Sequence, residues 1–124
     1  MSNSKKMTHI CIVSHDAGGA EVVSSYVKRN KLDCMYYLAG PAVNIFTKKL
    51  GPLVLNKLDK CLEECDWLLC SMGWSEHEWQ ALAKAKEIGK RVIVFLDHWT
   101  GYQDRFIHND IMVLPDEVWV GDTK

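Results

Sequence analysis

His15 and Asp16 stand side by side, and the pair Gly18-Gly19 follows one residue later. The same residue types recur at Asp97 and His98, with Trp99 next in line. Imidazole titrates near neutrality, and an adjacent carboxylate can orient it and support its cationic form. Each pair therefore has the means to take a proton from a substrate or to face a phosphate. The glycines add a second chemistry, because backbone without Cβ lets N–H groups crowd a ligand. A helix starting there would offer N–H groups without internal partners, and its dipole would favour an anion. The plainer alternative is a glycine turn in which Asp16 caps the helix and His15 is merely solvated. Asp97 has the same alternative as the cap of a turn. His15, Asp16, Asp97 and His98 are ligand types that suit zinc, iron or manganese. No spacing among them fixes a geometry, so neither a metal nor a cofactor is expected.

These side chains need a frame. The run from Ile10 to Val13 is apolar and rich in β-branched residues, as a buried parallel strand requires. A helix is expected from about Ala20 to Asn30, on the stripe Val23, Tyr26 and Val27. Cys34 to Ala39 reads as a second strand. Pro41 opens a second helix and Gly51-Pro52 closes it. Leu53 to Leu55 reads as a short third strand and Asn56 to Glu64 as a helix. Trp67 to Cys70 is a fourth strand, apolar throughout. Ser75 and Glu78 match a capping box at the start of a helix that stops at Gly89. Arg91 to Leu96 is the clearest strand, Asp97 to Asp110 a polar and aromatic loop, and Val118 to Val120 a sixth strand.

Strand and helix alternate, which predicts an α/β fold: a three-layer, doubly wound parallel sheet in the order 3-2-1-4-5, with the sixth strand beside the fifth. Winding reverses between strands one and four, and ligands bind at such a reversal, outside the carboxyl ends of the strands. The turns there bring together His15, Asp16, Gly18 and Gly19 with Ser71, Gly73 and Trp74, and with Asp97, His98 and Trp99. Trp74 has packing under the next helix as its alternative. Arg105, in a charged loop with Gln103, Asp104 and His108, could fork a phosphate. His77, in the first turn of its helix, is expected to be exposed.

Composition narrows the classes. The chain has 124 residues, enough for one domain, and a net charge of −1 with scattered Lys and Arg. That balance argues against a nucleic-acid partner, and no apolar run is long enough to span a bilayer. The polar N-terminus lacks a signal peptide's apolar core, and five free cysteines suit a reducing compartment, so a cytoplasmic location is expected. No C-x-x-C pair occurs; Cys61 and Cys65 are expected to pack in the core rather than bind metal. Neither G-x-G-x-x-G nor G-x-x-x-x-G-K is present, which argues against a dinucleotide cofactor and against a P-loop nucleotidase.

The chain resembles the N-terminal Rossmann-like half of two-domain GT-B nucleotide-sugar enzymes, such as glycosyltransferases and the non-hydrolysing UDP-N-acetylglucosamine epimerases. The likeness lies in His15-Asp16-Ala17-Gly18-Gly19 after the first strand and in Asp97-His98-Trp99 after the fifth. It lies also in Leu114-Pro115-Asp116-Glu117-Val118-Trp119-Val120-Gly121-Asp122, which resembles the strand leading toward the interdomain linker. The resemblance implies an acceptor-side domain in surface-carbohydrate metabolism and a nucleotide-sugar or other phosphate-containing partner. His15, Asp16, Asp97 and His98 would be its catalytic groups. Gly18, Gly19, Ser71, Gly73, Trp74, Trp99 and Arg105 would bind substrate. It also implies a donor site on a C-terminal domain beyond Lys124. The alternatives are a stand-alone flavodoxin-like module that binds a small anion or a partner, the free edge covered by a second copy, or a small phosphoester hydrolase.

Overall fold

A computed structural model describes residues 9–72, 75–96 and 106–120. In chain order the elements are β1 (Ile10–Ser14), α1 (Ala17–Asn30), β2 (Cys34–Leu38), α2 (Pro41–Leu50), α3 (Leu58–Glu64) and β3 (Trp67–Ser71). They continue with α4 (Glu76–Glu87), β4 (Arg91–Leu96), β5 (Ile107–His108), β6 (Ile111–Met112) and β7 (Glu117–Val120). Five strands form one parallel sheet in the order β2-β1-β3-β4-β7, giving a Rossmann-like α/β fold.

The apolar runs become the central strands because helices cover both faces of the sheet. Every residue of β1 is buried, and its alternate side chains serve opposite layers. Ile10 and Ile12 join Ala20, Val23, Ala42 and Phe46 under α1 and α2. Cys11 and Val13 join Cys61, Leu62, Ala81 and Leu82 under α3 and α4. Helix α2 has Pro41 at its start and ends at Gly51, whose φ of +89° suits a residue without Cβ.

The structure corrects four boundaries. Leu53 to Leu55 is not a strand; only Leu55 bridges in parallel to Tyr36, on the outer side of β2 where a third strand was expected. Val54 is 79% exposed, so the segment has little burial to hold it in a ladder. Helix α3 starts at Leu58 rather than Asn56. The segment after β4 contains an unforeseen hairpin, β5–β6, turned by Asn109 and Asp110 with φ of 53° and 65°. Both central residues at positive φ is the pattern of tight hairpin turns, and Asn and Asp tolerate it. Strand β7 pairs with β4 from Ile93↔Glu117 to Leu96↔Val120. Its entry is tied down by Asp116, whose carboxylate accepts from the Val92 N–H and from Lys86 Nζ.

The fourth correction concerns the glycines. Helix α1 begins at Ala17, not Ala20, so Gly18 and Gly19 lie in its first turn. Gly19 is where the helix rests on the end of β3: a Cβ there would lie 2.6 Å from Ser71 Cβ and 3.0 Å from Ser71 Oγ. Ser71 is fully buried in a strand and has no room to retreat. Gly19→Ala should therefore destabilise the fold by about 1–3 kcal/mol, despite alanine's better helix propensity, and lower the urea midpoint.

Candidate functional site

The reversal of winding falls between β1, flanked by β2, and β3. At its carboxyl edge a buried carboxylate gathers the surrounding segments. Glu78, in the first turn of α4, is fully buried. Its Oε2 accepts from the His15 N–H at 3.0 Å and from Ser71 Oγ at 2.8 Å; its Oε1 accepts from Ser75 Oγ at 3.0 Å. A hydroxyl has one proton, and Ser71 gives its own to Glu78, so Ser14 Oγ donates to Ser71 Oγ across 2.7 Å. Ser75 caps α4 as expected, accepting from the Glu78 N–H. The Glu78 carboxylate does more than complete a capping box, since it reaches across to the β1–α1 connection.

His15 is clamped at both ends of its backbone. Its N–H goes to Glu78, and its carbonyl accepts from the Ala42 N–H of α2 at 3.1 Å. Its Nδ1 lies 2.7 Å from Asp16 Oδ1. A carboxylate only accepts, so Nδ1 carries the proton and the neutral ring keeps Nε2 as its basic nitrogen. Asp16 occupies the N-cap position of α1 but makes no side-chain capping bond. The two side chains retain 32% and 35% of their exposure, so both reach the surface at this edge. Gly40 closes the other side of the ring: with φ of +59°, a Cβ on it would sit 2.6 Å from His15 Nε2. Here glycine is required both by the backbone angle and by the imidazole.

A second imidazole stands beside the first. The His77 ring centroid is 5.9 Å from that of His15 and 4.2 Å from that of Tyr37, on which it stacks. His77 is half-buried rather than exposed, with Nε2 3.2 Å from the Tyr37 carbonyl oxygen. That carbonyl only accepts, so Nε2–H donates. Burial holds the His77 pKa below the usual histidine value, the Tyr37 carbonyl opposes that shift, and the neighbouring His15 adds to it.

Of the residues singled out in the sequence, His15, Asp16, Gly19 and Ser71 meet at this edge. Gly18 is exposed in the first turn of α1. Ser71 is committed to Ser14 and Glu78 and has no exposed surface. Gly73, Trp74, Asp97, His98, Trp99 and Arg105 lie outside the described residues. Sequence reasoning missed Glu78 as a hub, His77 and Tyr37 as neighbours of His15, and Gly40 as its backstop. The spacing of Ser75 and Glu78 was the one available signal, and it pointed only to a local cap.

Four of the cysteines, Cys11, Cys61, Cys65 and Cys70, are buried in the core under α3 and α4. Burial pushes the thiol of Cys34 up to about 12, and Cys65, despite Lys90 nearby, to about 11. Cys70 is raised as well, by burial first and by Glu78 second. Cys61 and Cys65 are core residues, as expected. Among the described residues, no group of three or more His, Cys, Asp or Glu side chains could hold a metal ion. No helix among them is long and apolar enough to cross a membrane.

Fold and site together define a doubly wound α/β domain with a histidine–carboxylate couple at its switch point. Neither a protein-family model nor a curated protein matches the chain.

Two outcomes follow from this geometry. Glu78→Gln leaves one carbonyl oxygen where three donors converge, and should cost about 1–3 kcal/mol in urea unfolding. The second concerns pH. With the folded pKa of His77 below its unfolded value of 6.5, the unfolded chain binds more protons in the window beneath 6.5. The stabilising share of neutral His77 is complete above that window and is lost as pH falls through it. Melting temperature should drop as pH falls below about 6.5, and drop less in His77→Gln.

Proposed function

We propose that this chain is the acceptor-side domain of a GT-B-type glycosyltransferase or related nucleotide-sugar enzyme of surface-carbohydrate metabolism. His15 is the general base in this reading. The observation that carries it is the 2.7 Å contact of His15 Nδ1 with Asp16, placed where β1 meets the N-terminus of α1. Asp16 fixes the tautomer and supports the imidazolium that forms. An acceptor hydroxyl entering the crevice gives its proton to His15 Nε2. Its oxygen then bonds to the anomeric carbon of the donor sugar as the bond from that carbon to the nucleoside diphosphate breaks. The diphosphate leaves with the bonding electrons. In this reading, the N-terminus of α1 faces the phosphate, and the sequence candidates Asp97, His98, Trp99 and Arg105 keep the roles expected of them, the first two catalytic and the last two in substrate binding. Ser71 has a supporting place instead, through Glu78.

One feature favours a second reading, a small-anion binding module. Asp16 sits at the N-cap without a side-chain capping bond, so its carboxylate does not answer the first-turn N–H groups of α1 that an anion would use. The two readings part on turnover. Assayed with a panel of uridine and thymidine diphosphate sugars, His15→Ala should lose about 10²–10⁴-fold in transfer or hydrolysis while its circular dichroism stays that of the parent. Turnover by His15→Ala equal to the parent's sinks the general-base role. Absence of nucleotide-sugar binding up to millimolar concentration sinks the glycosyltransferase reading altogether.

A further inference from the structure

A concavity lies away from the carboxyl edge. A groove of about 450 Å³ runs between α1 and the sheet. Its floor is Leu69 of β3 and Phe95 of β4, and its aromatic walls are Tyr26 of α1 and Trp119 of β7. The two rings meet edge to face at 5.7 Å. Trp119 Nε1 donates to Glu117 Oε1, so the indole has no donor left and offers an occupant apolar surface only. Such a volume with an apolar floor and few polar groups is what small-molecule sites look like.

Two cations line the groove, and they are not equivalent. Lys49 Nζ donates to the Glu21 carbonyl and to Ser25 Oγ and pairs with the Glu21 carboxylate, so its charge is answered. Arg29 lines the same groove, is exposed, and has no ion pair or hydrogen bond among the described residues. A guanidinium with no partner among the described residues therefore stands beside an aromatic-walled trough. Guanidinium favours planar anions that accept two parallel N–H bonds.

We propose that this groove is a binding site for a planar aromatic anion, its ring system on Leu69, Phe95 and Trp119 and its acidic group on Arg29. The site is independent of the His15 edge and of the activity proposed for it.

Anilinonaphthalene sulfonate is a probe of that chemistry, followed by its own fluorescence and by energy transfer from tryptophan. The native chain should bind it saturably at one per chain. Arg29→Ala should weaken binding about ten-fold, and added salt should weaken it too. Lys60→Ala removes a positive charge from α3, on the opposite layer, and should leave affinity unchanged. Near-ultraviolet circular dichroism of each variant identifies any that has lost its packing, and urea midpoints confirm folding of Arg29→Ala, whose side chain is exposed. No saturable binding overturns the proposal, as does a stoichiometry well above one. Equal affinity in folded Arg29→Ala overturns it as well.

Discussion

The buried carboxylate of Glu78 is the constraint on which the carboxyl edge of this domain depends. A polar group without solvent has to be matched by donors, and Glu78 takes three from three different segments. The turn after β1, the end of β3 and the cap of α4 are thereby held at one distance from one another. Removing any of the donors leaves a buried acceptor short of a partner, so the segments cannot drift independently. His15 inherits its position from this arrangement. Its backbone is fixed by Glu78 on one side and Ala42 on the other before its side chain does anything.

Around that anchor, packing leaves little latitude. Gly19 lets α1 settle on Ser71, and Gly40 lets the start of α2 come up against the His15 ring. The imidazole is thus oriented from three directions, by Asp16 through a hydrogen bond, by Gly40 through contact, and by its own clamped backbone. Such over-determination is what a base needs if it is to meet a substrate hydroxyl without reorganising. His77 belongs to the same edge but to a drier environment, stacked on Tyr37 and with its pKa held below the usual histidine value by burial. Two imidazoles of one chain thereby stand in different environments, one half-open beside a carboxylate, the other half-buried against an aromatic ring.

Much of the architecture was legible from residue patterns. Apolar runs such as Ile10 to Val13 and Arg91 to Leu96 could only be buried parallel strands, and alternation with helical stripes implied the sheet order and the point of reversal. Caps were legible too: Pro41, Gly51 and Ser75 act where their chemistry suggested. Leu53 to Leu55 misled because β-propensity does not reveal burial, and two of its side chains, Val54 and Leu55, are exposed. The glycine pair misled in a similar way. Gly18-Gly19 reads locally as a turn, yet the close approach to β3 at Gly19 draws both residues into a helix.

The sequence by itself determined the layers, the winding and the pairing of a histidine with a carboxylate at a strand's end, because these rest on periodicity and on adjacent residues. Only the tertiary structure decided that Glu78 would face His15 as well as its own cap, and that His77 and Tyr37 would stand beside His15. Those contacts join residues separated by 63 and 40 positions in the chain. No local pattern encodes a contact of that span; it arises when parallel crossovers bring strand ends together and the buried polar groups there must find partners among themselves.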